Sequence, residues 1–313
     1  MDGLILVRKP QKFTSHDIVV KLRDILDYKK IGHFGTLDPL ATGLMVVALG
    51  KATRLFPFFS KLDKTYEGQI RLGISTDTYD SLGKPISSEI KEYPDIDTLL
   101  EAMKKFEGEI DQIAPPFSAK KFKGKPLYVL AREKKELKYK SSRIFIQYFQ
   151  MKKYTPPYLD FRAGCSSGTY IRSLAHDLGQ SLGCGAHLSA LERTTVGHFN
   201  IKEGFNIQKI KKLTEEGKTE SFLIPLESLL PEFPKVILDE TGTVLVRNGN
   251  MIFPDNIIKI LEQEPQTSDL PAEEDRIFRV FSLEGKLMAL ARKVPEKKGL
   301  HPFLVFNPKG MSR

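Results

Sequence analysis

Apolar positions recur along the chain with two spacings, and the switches between them mark out the elements. After a short apolar run at 3–7, Ile18, Val19, Leu22, Ile25 and Leu26 fall on one face of a 3.6-residue repeat behind Ser15, which predicts a capped helix with its charged residues in solvent. Leu44 to Leu49 is a continuous apolar run of strand length, the pattern of a buried strand. Lys64 to Gly73 alternates, with Thr65, Glu67 and Gln69 opposite Tyr66, Gly68 and Ile70, so Tyr66 is expected to point inward. The helical spacing returns from Ile96 to Phe106. Ile144 to Ser166 predicts two strands around a turn at Tyr154-Thr155-Pro156-Pro157. Gly164 to Leu174 then passes from strand end into a helix, closed by glycine stops between Gly179 and Gly183.

The pattern changes around Glu232-Phe233-Pro234. Beyond it, short strands are predicted at Val244 to Val246, Ile277 to Phe281, Leu287 to Ala291 and Phe303 to Phe306, while Glu262 to Arg276, acidic and proline-containing, reads as an exposed loop. Two domains are therefore expected, residues 1–232 and a small β-rich one at 233–313.

Composition narrows the class. With 313 residues and 41% hydrophobic content, the chain is expected to be soluble and globular. No apolar run has transmembrane length, and Arg8, Lys9 and Lys12 interrupt the start too early for a secretory signal, so a cytoplasmic protein without membrane contact is expected. Cys165 and Cys184 have no Cys-x-x-Cys pairing and read as small buried apolar residues, not as a disulfide framework or zinc site. Gly50-Lys51 lacks the earlier glycine of a phosphate loop, since position 45 is Met45, and Gly183-Cys184-Gly185 lacks the third glycine of a dinucleotide fingerprint at Leu188. The net charge of +9 is concentrated: residues 120–143 carry ten Lys or Arg against Glu133 and Glu136. Phe122, Tyr128 and Tyr139 lie among those cations, a mixture suited to gripping a polyanion with exposed bases.

The candidate chemistry sits in Gly32-His33-Phe34-Gly35-Thr36-Leu37-Asp38-Pro39-Leu40-Ala41-Thr42-Gly43, one acid among special-angle residues. Asp before Pro is pushed toward extended angles. Local sequence leaves two readings of Asp38: a helix N-cap with Pro39 at the first helical position, or an acid presented at a turn.

The string Gly-His-x-Gly-Thr-Leu-Asp-Pro-x-Ala-Thr-Gly-x-Leu resembles the signature of the TruB family, the tRNA pseudouridine-55 synthases. Lys64-Thr65-Tyr66 with the Thr76-Asp77-Thr78-Tyr79-Asp80 loop, Lys123-Gly124-Lys125-Pro126-Leu127-Tyr128, Gly164 to Leu174, and Leu191-Glu192-Arg193-Thr194 resemble its further motifs. The resemblance implies an α+β fold with a mixed, largely antiparallel sheet flanked by helices. It also implies a basic RNA-binding insertion at about 115–143 and a C-terminal β-barrel-like module similar to a PUA domain.

It further implies isomerisation of uridine to pseudouridine in the T-loop (position 55) of tRNA, with Asp38 catalytic on a flipped-out base. Around the base it implies Tyr66, Arg172, Tyr170, Leu191 and His33; His33, Pro39 and Leu40 are candidates to fill the vacated stack. Arg172 is expected to keep Asp38 ionised, and Tyr66 to stack on uracil and assist at C5. RNA contacts are expected from Lys9, Lys120, Lys121, Lys123, Lys125, Arg132 and Arg193. No metal, organic cofactor or protein partner is implied, and the chain is expected to act as a monomer on the T stem-loop. The residues alone leave open ring addition, attack at C1′ or deprotonation at C2′ for Asp38. They equally leave open a noncatalytic RNA-folding protein, an RNA hydrolase and a guide-RNA-dependent synthase.

Overall fold

The computed structural model describes residues 1–116, 121–122, 125–126, 141–262 and 276–307. By contacts the chain divides into two units: one of Ile5–Val47 with Phe56–Phe222, the other of Met1–Leu4, Ala48–Leu55 and everything from Leu223. The second unit thus begins before the boundary expected at 232–233 and takes in two distant pieces. Asp2 accounts for part of this, since its carbonyl accepts from Leu226 N–H and its carboxylate from Lys51 N–H.

In the larger unit, β1 (Gly3–Lys9) leads to α1 (Ser15–Leu26), β2 (Ile31–His33) and β3 (Thr42–Leu49). The cap of α1 is Thr14 and not Ser15: Thr14 accepts from Asp17 N–H while the Asp17 carboxylate accepts from Thr14 N–H. Ile18, Val19, Leu22 and Leu26 bury the predicted face. Strand β3 is buried on both faces from Gly43 to Leu49, which is why its sequence runs apolar without alternation. A short helix α2 (Phe56–Phe59) precedes β4 (Lys64–Leu72), and α3 (Ile96–Lys104), capped by Asp95, leads into β5 (Gly108–Ile113).

The expected basic insertion falls almost wholly outside the described residues: of it, the backbone of β6 (Lys121–Phe122) pairs with β7 (Lys125–Pro126). Lys120, Lys123 and Arg132 lie outside, as do the side chains of Lys121 and Lys125. Strands β8 (Ser141–Thr155) and β9 (Tyr158–Cys165) form the predicted hairpin, followed by α4 (Ile171–Ser181), β10 (Ala186–Val196), β11 (Phe199–Asn200) and α5 (Ile207–Glu215). Gly179 is not a stop but lies inside α4, where its missing side chain lets the Gly185–Ala186 backbone approach. Gly183, at φ 73°, is the terminating glycine.

The main sheet runs in the order β1-β3-β10-β4-β9-β8-β5. Only the β3–β10 pairing is parallel among β3, β10, β4, β9, β8 and β5, so the mixed, largely antiparallel α+β architecture is as expected.

In the other unit, β12 (Leu223–Pro225) lies against Gly3, and β13 (Lys235–Leu238), α6 (Glu240–Arg247), β14 (Ile257–Leu261), β15 (Ile277–Phe281), β16 (Leu287–Val294) and β17 (Gly299–Val305) follow. Val244 to Val246, predicted as a strand, belongs to α6: Asp239 accepts from Gly242 N–H and starts a helix whose Val246 joins the core with Val236, Phe278 and Val280. The five strands follow the open path β14-β13-β15-β16-β17, so the barrel expected here does not close among the described residues. The acidic loop expected at 262–276 lies outside them except for its ends. Both cysteines are buried and free.

Candidate active site

Sheet order brings distant motifs to one place. Register pairs Tyr66 on β4 with Arg193 on β10, and Leu191 with Gly68. β10 also pairs in parallel with β3 at Arg193↔Gly43, so the loop entering β3 ends beside it. Helix α4 leaves β9, the other neighbour of β4, and carries Arg172 in its first turn. Tyr66, Arg172, Leu191 and Arg193 line one cavity of about 560 Å³, with His33, Gly35 to Asp38, Phe56, Lys64, Arg143 and Tyr170 among its walls.

Asp38 is not an N-cap: residues 39–41 are bend and coil, and the Asp38 carbonyl accepts from Ala41 N–H at 3.1 Å. The loop that presents it is held from both sides. The Ser15 hydroxyl accepts from Leu37 N–H at 2.8 Å and donates to Leu37 O at 3.2 Å, while Lys12 N–H reaches Pro39 O at 2.8 Å. From the sheet, Arg193 Nη2 donates to Gly35 O at 3.1 Å, Nη1 to Thr36 O at 3.4 Å and Nε to Leu44 O at 2.8 Å. Gly43, at φ 109°, has no Cβ to run into the Arg193 backbone, and this closeness lets the guanidinium reach under the loop.

Arg193 and Lys9, expected to contact RNA, are therefore reassigned. They are 2% and 1% exposed, and Lys9 Nζ is spent on Pro10 O and Phe13 O at 2.9 and 2.7 Å. Burial lowers the Lys9 ammonium to about 8, against the pull of Asp38. Apart from Leu44 O on β3, the carbonyls they occupy belong to turns, which have no strand partners for them. Arg193→Met is expected to strip the Gly35 and Thr36 carbonyls of this donor, with Leu44 O losing it as well, and to destabilise the protein by about 3 kcal/mol, read as a lower denaturation midpoint.

The Asp38 carboxylate lies 2.8 Å from Arg172 Nε; its side chain is 38% exposed and that of Arg172 6%. Arg172 is itself fixed from behind, with Nη1 3.1 Å from Thr78 O and 3.4 Å from Asp80 Oδ2. Asp80 is buried and accepts from the Thr78 hydroxyl at 2.7 Å and Leu82 N–H at 3.0 Å. Of this acid–Arg–acid line the Asp38–Arg172 pair was expected and Asp80 was not: the Thr76–Asp80 loop matched a motif, but nothing local in sequence tells a buried anchor from a loop aspartate. Removal from water pushes the Asp38 carboxyl above its ordinary 3.8, with Arg172 opposing and Asp80 adding to the rise. The cation expected to keep Asp38 ionised is thus present and outweighed.

Tyr66 is 8% exposed, and burial raises its phenol above 10.0, opposed by Arg193. Leu191 is buried and Tyr170 half-buried at the start of α4. The His33 ring accepts from Gly35 N–H at Nδ1, 3.3 Å, which leaves its proton on Nε2; burial and Arg193 lower its pKa, favouring the neutral ring. Pro39 is exposed, whereas Leu40 is only 4% exposed and so unavailable to fill a vacated stack. Among the described residues no cluster of His, Cys, Asp or Glu suits a metal ion, and no helix is long and apolar enough to cross a membrane.

Comparison with known proteins accords with this geometry. Residues 23–171 match the TruB family pseudouridylate synthase N-terminal domain, and residues 172–231 the tRNA pseudouridylate synthase B C-terminal domain. The chain is 38% identical over 307 residues to tRNA pseudouridine synthase B of Dehalococcoides mccartyi, covering 98% of this chain and 97% of that protein. It is 41% identical over 249 residues to the protein of the same name from Solibacter usitatus, covering 80% and 85%. Among solved structures, a Cbf5-Nop10-Gar1 complex matches at TM-score 0.71 and 26% identity, over 98% of this chain and 85% of that one. An H/ACA RNP bound to a substrate RNA containing 2′-deoxyuridine matches at TM-score 0.70 and 25% identity, over 98% and 86%.

Proposed function

Because the chain belongs to the TruB family of pseudouridylate synthases, we propose that it converts the uridine at position 55 in the T-loop of tRNA to pseudouridine, with Asp38 as its single catalytic acid. The observation that carries this reading is the Asp38 carboxylate, 2.8 Å from a buried arginine, in a cavity shared with Tyr66 and Leu191. The reaction breaks the N-glycosidic bond, turns the detached uracil and rejoins it through C5. Ring addition, attack at C1′ and deprotonation at C2′ all need an ionised carboxylate held in one place. Arg172 supplies the hold. Tyr66 offers its ring as a stacking face; a role as base at C5 would need a phenolate, which its burial disfavours.

The uridine must leave its loop to enter the cavity, and His33 stands beside Asp38 with a neutral Nε2–H to take up the vacated space. The reaction in this reading uses no organic cofactor and no protein partner, the enzyme is a cytoplasmic monomer, and RNA is gripped by the basic segment at 120–143. The test is purified protein with a tRNA transcript labelled with tritium at uridine C5: release of tritium with pseudouridine in the digested RNA is expected. Free uracil would make the protein a hydrolase, and unchanged RNA a binding protein.

Two further outcomes follow from charge. Activity is carried by ionised Asp38, so kcat/KM should fall as pH drops through a midpoint above the ordinary carboxylate value of 3.8, measured on a buffer series. Changing Lys120, Lys121, Lys123 and Lys125 together to Gln should flatten the slope of log affinity against log salt by about 1.5–2.5, since each phosphate neutralised contributes about 0.7–0.9. An unchanged slope would put the RNA on another face.

A further inference from the structure

Strand β5 is the outer strand of the main sheet among the described residues, paired with β8, and five of its six residues are exposed or half-buried. The exception is polar: Gln112 is 3% exposed. A buried amide has to be satisfied at both ends, and Gln112 spends both on one residue 58 positions away. Its Oε1 accepts from Tyr170 N–H at 2.8 Å and its Nε2 donates to Tyr170 O at 3.0 Å. The side chain thus copies the two-bond exchange of an antiparallel strand pair and offers it to the residue that begins a helix. Next to it, Ser173 Oγ, on a side chain 1% exposed, donates to Ile113 O at 2.8 Å. The end of β5 therefore grips residues 170 and 173, on either side of Arg172.

What the grip fixes is the start of α4. Tyr170 is the cap residue of this helix, its side chain makes no cap bond, and its carbonyl takes the first helical hydrogen bond, from Leu174 N–H at 3.1 Å. The turn before it, 166–170, is tied to β8 at its near end, where Ser166 N–H donates to Phe145 O at 2.8 Å and Ser166 Oγ accepts from Phe145 N–H at 2.9 Å. Its middle is open: a Cβ at Gly168, φ 89°, would have nothing within 4 Å among the described residues. Without Gln112 the far end of the turn would be left to Ser173 and to the packing of Ile171, Leu174 and Ala175, and apolar packing is not directional.

Direction is what Arg172 needs, because one guanidinium has to meet Asp38 at 2.8 Å and Thr78 O at 3.1 Å together, and a displaced helix start would lose one or the other. We infer that Gln112, seconded by Ser173, is a positioning residue for the reaction: it fixes the first turn of α4 so that Arg172 reaches Asp38 and its anchor at once. The inference rests on the reading of Asp38 as the reacting acid. It also explains why the buried position of an otherwise open strand holds an amide, since a hydrocarbon of similar size would fill the space but make neither bond.

The test separates aim from stability, with the full chain throughout. In Gln112→Leu, kcat should fall by about 10- to 100-fold while KM for a tRNA transcript stays within about twofold, the pattern of a misplaced reacting group. Ser173→Ala removes one bond and little volume, so it carries the same readouts at smaller size should Gln112→Leu fail to fold. A second readout needs no turnover. The Asp38 carboxyl, followed by carbon NMR in protein labelled at aspartate and assigned by its loss in Asp38→Asn, should titrate higher in Gln112→Leu than in wild type. Arg172 is the cation that opposes the rise in its pKa, while Asp80 and Lys9, the other charges acting on it, stay in place. Added to Arg172→Ala, Gln112→Leu should cost less than about twofold more in turnover and leave the carboxyl where Arg172→Ala alone puts it. An Asp38 titration that Gln112→Leu leaves unchanged, or losses that simply add in the double variant, would reduce Gln112 to a structural cap and overturn the inference. A wild type that forms no pseudouridine but shows the carboxyl shift would fault the assigned reaction and leave the positioning standing.

Discussion

Asp38→Asn is expected to reduce pseudouridine formation by at least about 10³-fold while RNA affinity stays within a few-fold of wild type. The amide fills the same space but cannot act as a base or nucleophile at the reacting sugar or ring. Folding should survive the change, and the sign follows from the carboxyl's surroundings. Because the folded state raises the Asp38 pKa, the ionised group is less favourable there than in the unfolded chain, and a neutral replacement removes that penalty at neutral pH. The melting temperature should therefore hold or rise. A variant that still makes product would remove Asp38 from the chemistry. One that lost activity through a clear fall in melting temperature would make Asp38 a support for the loop.

Arg172→Ala is expected to do both kinds of damage. It frees Asp38 from its 2.8 Å partner, so turnover should fall by about 10²-fold or more through misplacement of the reacting group. It also strips Asp80, whose side chain is 6% exposed, of its only ion pair among the described residues. Removing one partner of a buried pair costs about 3–5 kcal/mol, which should appear as a lower denaturation midpoint. Arg172→Ala combined with Asp80→Asn should recover part of the stability, because the orphaned charge is gone, but none of the turnover. Recovery of turnover with stability would mean that Arg172 supports the fold and does not aim Asp38. Circular dichroism during denaturation and product formation at saturating RNA separate the two effects.

The elements that could be read from sequence were those where side-chain period and burial agree. The face of α1, the apolar β3, the inward Tyr66 on β4 and the β8–β9 hairpin all follow from spacing alone, because each buries one face or both. The errors arose where local chemistry had two outlets. Thr14 and Ser15 both cap helices, and the tertiary structure used Thr14 for α1 and turned Ser15 to the Leu37 backbone. Val244-Leu245-Val246 is apolar with two β-branched residues, yet Asp239 capped a helix there and core packing kept it. Gly179 carried the mark of a helix end but served a close approach to β10.

By itself the sequence determined that Asp38 sits before a proline among glycines ahead of a buried strand, that Tyr66 faces inward, and that charge is concentrated at 120–143, since these are matters of period, backbone restriction and composition; that Asp38 lies in a turn and does not cap a helix came from the structure. Only the tertiary structure decided which charged residues near the motifs are buried and hold the site up. Lys9, Arg172, Arg193 and Asp80 look alike in sequence as polar residues near motifs, but all four are buried, and their partners come from loops and strands far along the chain. Burial depends on which strands become neighbours. The parallel β3–β10 pairing puts Arg193 under the Asp38 loop, and the β9–α4 turn puts Arg172 between two acids, contacts that no local pattern encodes.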